Sequence, residues 1–84
     1  MSKKEKLIKR LLDNPKDFTF NELVTLLGYF GYMEMRSGKT GGSRVTFSDN
    51  AKDQIRIHKP HPKNILKPYQ VKNVIKDLEE RDLL

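Results

Sequence analysis

The chain has 84 residues, with 17 basic and 11 acidic side chains, a net charge of +6 and no cysteine. That composition excludes disulfides, thiolate zinc sites and a cysteine nucleophile, and the length predicts a single domain spanning 1–84 with a compact core. No apolar run approaches the ~20 residues of a membrane span, and Met1-Ser-Lys-Lys-Glu-Lys6 leads into no signal-peptide core, so a cytoplasmic chain with no membrane partner is expected.

Residues 2–13 read as a short added helix. Leu7, Ile8, Leu11 and Leu12 form one stripe at helical period, and Lys3, Lys4, Lys6, Lys9 and Arg10 fill the other face. Asn14-Pro15 ends it, because the residue before proline avoids the α region. A second helix is predicted over 20–30. Thr19 and Glu22 have capping-box spacing, and Phe18 and Leu23 have the spacing of a hydrophobic staple. Leu23, Leu26, Leu27 and Phe30 continue one apolar face, and Gly31 is placed to stop the helix.

Three strands follow. Tyr32–Arg36 is the first, and Gly38-Lys-Thr-Gly-Gly-Ser43 leads into the second. Ser43–Ser48 and Gln54–Lys59 both alternate, with Val45, Phe47, Ile55 and Ile57 apolar and Arg44, Thr46, Gln54, Arg56 and His58 polar. A turn over 49–53 then pairs Val45 with Ile57, Phe47 with Ile55 and Arg44 with His58. A one-residue slip would drive Arg44 into the core, so the parity is strongly specified. Pro60-His-Pro62 cannot continue a ladder, since proline has no N–H to donate. Ile65 or Leu66 is expected to anchor the loop 60–67. Pro68 suits the first turn of a last helix whose core face is Val71, Val74, Ile75 and Leu78, fraying near Arg81.

The order α-α-β-β-β-α predicts an α+β fold, a three-stranded antiparallel sheet with helices packed on its apolar face. Its other face would present Arg44, Thr46, Gln54, Arg56 and His58. Charge points the same way. Residues 54–76 carry Arg56, Lys59, Lys63, Lys67, Lys72 and Lys76 without an acid, and residues 35–48 carry Arg36, Lys39 and Arg44 without one. Such a face favours a polyanion, most often nucleic acid.

Other chemistries fit less well. The glycine loop lacks a P-loop lysine and precedes a strand, so no nucleotide site is expected. Asp49, Asn50 and Asp53 have turn chemistry and no ligand spacing. His58-x-x-His61 has no evident third ligand, so neither a metal nor a cofactor is expected. RNA cleavage without a metal needs a base, an acid and a cation for the phosphorane. Histidine suits the first two roles and arginine or lysine the third. Arg44, His58, Lys59, His61 and Lys63 could supply that set. Each also has a purely structural reading, as a polar strand residue or a turn residue.

Residues ~19–78 resemble the HicA toxins, small messenger-RNA interferases of bacterial toxin–antitoxin pairs. The resemblance rests on Gly31-Tyr32, Arg36, Gly42-Ser43, Pro60-His61-Pro62, a lysine-containing loop and Val71-x-x-Val74-Ile75, in that order. It implies a double-stranded-RNA-binding-like α-β-β-β-α core over 19–80, mRNA as target and a HicB-like antitoxin as partner. The RNA contacts expected from the basic stretches themselves are Arg36, Lys39, Arg44, Arg56, Lys59 and Lys63. One position departs from the pattern. The family's catalytic histidine follows Gly-Ser, and Arg44 stands there. Guanidinium stays protonated and cannot act as a base. Three readings follow: RNA binding without cleavage, takeover of the role by His58 or His61, or an engineered position 44. A protein-interaction domain with a basic face is the alternative from another class.

Overall fold

The computed structural model describes residues 2–35, 44–60 and 63–84. The chain forms three helices, α1 (Lys3–Leu12), α2 (Phe20–Tyr29) and α3 (Pro68–Glu80), and three strands, β1 (Met33–Met35), β2 (Arg44–Ser48) and β3 (Gln54–His58). The strands form one antiparallel sheet in the order β1-β2-β3. This is the expected α-β-β-β-α arrangement with an extra N-terminal helix. Residues 36–43, with the glycine-rich loop expected there, and the pair His61-Pro62 lie outside the described residues. Among the described residues no helix is long and apolar enough to cross a membrane.

Local chemistry sets both ends of α2. Thr19 Oγ1 accepts the Glu22 N–H at 3.1 Å, and Glu22 Oε1 accepts the Thr19 N–H at 3.0 Å, completing the capping box. At the other end Gly31 adopts φ +88°. Its N–H donates to the Gly28 carbonyl and the Tyr32 N–H donates to the Leu27 carbonyl. These are the two bonds of a Schellman motif, which needs a left-handed residue and therefore favours glycine. They turn the chain directly into β1.

The register between β2 and β3 is the expected one: Arg44 faces His58, Val45 faces Ile57 and Phe47 faces Ile55. Phe47, Ile55 and Ile57 therefore point into one core with Leu23, Leu26, Leu27, Val71, Val74 and Leu78. Phe20 packs on Phe47 with ring centroids 6.2 Å apart. Of the two proposed loop anchors, Leu66 is the buried one, and its N–H donates to the Phe18 carbonyl at 2.8 Å. The added helix α1 contributes Leu11, which is fully buried in the same cluster.

Two ion-pair networks fasten elements that are distant in sequence. Arg10 of α1 donates through Nε to Glu22 Oε2 at 2.8 Å and through Nη1 to Asp17 Oδ1 at 3.1 Å. Asp53, in the turn after β2, accepts from the Tyr32 hydroxyl and from Arg81 Nε, both at 2.5 Å. Arg81 also donates to the Gln54 carbonyl at 3.2 Å. The end of α3 is thus pinned to the turn joining β2 and β3, where fraying was expected. Burial, with Asp53 beside it, pushes the Tyr32 phenol up to about 12. The Arg81 guanidinium, then the Tyr32 hydroxyl, hold the Asp53 carboxyl below its ordinary value.

The Arg10 hydrogen bond, with the Thr19 amide as a further donor, lowers the Glu22 carboxyl from 4.5 to about 2. The unfolded chain therefore binds more protons than the folded chain between those values. The stabilisation from Glu22 is complete above pH 4.5 and is lost progressively as pH falls toward about 2. Urea denaturation across that window is expected to show a falling midpoint, with Asp53 contributing in the same direction. Glu22→Gln keeps an acceptor for the cap but gives up the ion pair. It is expected to cost about 1 kcal/mol at neutral pH and to flatten the acid dependence. An equally steep acid dependence in that variant would refute the assignment.

Candidate nucleic-acid interface

The open face of the sheet is built by strand alternation. Because Phe47, Ile55 and Ile57 are drawn into the core, their neighbours Arg44, Thr46, Ser48, Gln54, Arg56 and His58 must point the other way. Residues directly opposite one another in a ladder share a face. Arg44 faces His58 and Thr46 faces Arg56, so both arginines and the histidine sit on this surface. Arg44, Arg56 and His58 are exposed. The Arg56 guanidinium leans along the strand and donates to Gln54 Oε1 at 3.0 Å.

The same rule places β1. Met33 pairs with Ser48 and Met35 with Thr46, so both methionines belong to the open face. They are 71% and 48% exposed, which leaves an apolar margin beside the cationic centre. Sequence reasoning missed this margin. A three-residue edge strand carries too little alternation to reveal its face, but burial of the preceding Tyr32 is the signal that would have assigned it.

The described residues of this face are Met33, Met35, Arg44, Thr46, Ser48, Gln54, Arg56 and His58, and none is acidic. Every ion pair among the described residues involves Arg10 or Arg81, and neither lies there. Between the methionine margin and the strand ends, the surface therefore presents hydrogen-bond donors and positive charge without an acid among the described residues. That suits phosphate oxygens, which accept bidentate bonds from guanidinium.

Of the six cations expected to meet a polyanion, the four described ones do not all share one face. Arg44 and Arg56 come together on the open face. Lys59 is the next residue after His58 and turns to the helical side, with Nζ 5.8 Å from the centre of the Phe20 ring. Lys63 is exposed in the bend before Ile65. Arg36 and Lys39 lie outside the described residues, as does His61. Among the described residues no group of His, Asp or Glu side chains is arranged to hold a metal ion.

The end of β3 has a support that sequence reasoning did not identify. Gln70, in the first turn of α3, donates through Nε2 to the His58 carbonyl at 2.8 Å. Its Oε1 accepts the Lys67 N–H at 3.0 Å. With Leu66 anchoring the preceding loop, α3 is tied to the strand that carries His58.

The model of one protein family, described as HicA toxin of bacterial toxin-antitoxin, matches residues 20–79. The matched segment begins at α2 and ends one residue short of the end of α3, so α1 lies outside it. Neither a curated protein nor a solved structure matches the chain.

Proposed function

This chain belongs to the HicA toxin family of bacterial toxin–antitoxin systems, and from that premise we propose that its open sheet face binds messenger RNA in the cytoplasm and is masked by a cognate antitoxin of the HicB type. Membership implies toxin activity and an antitoxin partner; contact with RNA is our reading of the face. The observation that carries it is the cation-bearing, acid-free surface formed by Arg44, Arg56 and His58 on paired strands. Guanidinium groups on a rigid sheet meet phosphate without the ordering cost of a flexible tail. Lys63, Lys59, Arg36 and Lys39 extend positive charge along the chain on either side of these strands.

A second reading, cleavage of the bound RNA, is favoured by the pairing of Arg44 with His58. Arg44 stands where the family's histidine is expected and cannot take a proton. The imidazole of His58, on the opposite strand, can. In this reading His58 removes the proton of a ribose 2′-hydroxyl, and the 2′-oxygen attacks the adjacent phosphorus. A P–O2′ bond forms as the P–O5′ bond breaks, and the 5′-oxygen leaves with a proton from solvent. Arg44 holds the charge that builds on the phosphoryl oxygens. No metal takes part in these steps.

Purified protein incubated with single-stranded and structured RNA in the presence of EDTA tests both readings. Binding that weakens steeply with salt is expected, as for any interaction dominated by phosphates. Cleavage that disappears in His58→Ala, with RNA still retained, is the expected signature of the second reading. Retention without cleavage would reduce the protein to an RNA-binding toxin. Failure to retain RNA at low salt would overturn the proposal and favour a basic protein-interaction surface.

A further inference from the structure

We infer that Gln70 is a positioning residue that sets where His58 stands on the open face. This rests on the reading of that face as the RNA site. Gln70 is the one buried polar side chain among the described residues, at 6% exposed. A helix that needed only an apolar anchor at this position would be served by leucine. The amide instead makes two bonds of opposite sense, accepting from Lys67 N–H at 3.0 Å and donating to the His58 carbonyl at 2.8 Å. Both partners are backbone groups of fixed polarity, so the orientation of the amide is dictated.

The second bond falls where the sheet is about to end. His58 is the last residue of β3, and two residues later Pro60 has no N–H with which to continue pairing. The strand end is thus held from inside the core by an α3 side chain, while the His58 imidazole stands on the opposite surface, facing Arg44. Releasing the carbonyl lets the strand end move and takes the imidazole out of register with the guanidinium.

A capping role and a positioning role are separated by Gln70→Glu. Ionised, the new carboxylate still accepts from Lys67 but has no proton to give His58; protonated, it regains a donor. At about pH 8, where the carboxyl is ionised, the amide proton resonance of Lys59, which shares the peptide group of the His58 carbonyl, is expected to move. RNA affinity is expected to fall about tenfold, the scale of one lost hydrogen bond at a binding site. At about pH 5, compared with the unsubstituted protein at the same pH, the displacement of the resonance is expected to shrink as the carboxyl takes up a proton. Gln70→Met, of similar volume and making neither bond, is expected to show the same loss of affinity with no recovery. An unmoved Lys59 resonance overturns the tether. A moved resonance with unchanged RNA affinity in both variants overturns the positioning role alone. Absence of RNA binding by the unsubstituted protein overturns the reading of the face and removes the role with it.

Discussion

Phe47→Ala is expected to cost about 3–5 kcal/mol, the range for deleting a buried aromatic from a packed core. Phe47 is fully buried on the central strand, opposite Ile55 and against the Phe20 ring. Removing it leaves a cavity that neighbours fixed by helix caps and strand register can close only in part. A chain of this length has a total stability of about 4–13 kcal/mol, so the substitution removes about a quarter of it or more. Urea denaturation followed by far-UV circular dichroism measures this directly. Phe47→Leu keeps most of the apolar volume and should cost less than half as much. An unchanged midpoint for Phe47→Ala would mean that β2 does not pack on α2 as described. The consequence reaches the open sheet face, because Arg44 and Thr46 lie on the other side of the same strand. RNA retention should fall with the folded fraction and no faster.

Replacing both Arg44 and Arg56 with glutamate is expected to lower RNA affinity by on the order of 100-fold or more at moderate salt. Charge-assisted hydrogen bonds contribute about 1.5–3 kcal/mol each, and two acids would add repulsion where phosphates are expected. Both side chains are exposed, so the fold should survive, and circular dichroism should match the unsubstituted protein. The slope of log affinity against log salt should become shallower by about 0.7 for each phosphate of a single strand that the protein no longer neutralises. Lys59→Glu is the internal comparison. Its ammonium sits near the Phe20 ring on the helical side and its loss should be felt much less. Equal losses in the two variants would show that general charge, and not this face, governs binding. The double variant is also expected to lose growth arrest on expression without its antitoxin.

Much of this architecture was legible from local pattern. The Thr19–Glu22 cap, the Gly31 stop and Pro68 at the start of α3 depend on residues within a few positions of one another. The pairing of Arg44 with His58 spans a short turn, and the alternation of Val45, Phe47, Ile55 and Ile57 admits one parity. The open face followed from that parity, because whatever alternates with core residues must point outward. Its family could be named from short motifs alone, and the match over residues 20–79 agrees.

What escaped the sequence reading has a common physical cause. Asp53 reads as a turn residue, yet it joins Tyr32 to Arg81, partners 21 and 28 positions away. Arg10 reads as one more lysine-like charge on α1, yet it meets Glu22 and Asp17 only because Leu11 docks the helix against α2. Gln70 reads as a neutral helix residue, and its bond to His58 exists because the first turn of α3 lies beside the end of β3. Lys59 counts as one more cation in a basic run until the end of the strand turns it away from Arg44 and Arg56. Periodicity, capping and parity are settled by neighbours along the chain, so the residue order carries them. Interactions between polar side chains far apart in that order depend on how helices and sheet pack. That packing is selected by the apolar core, which specifies which faces meet but leaves open which polar groups come into reach at the rims.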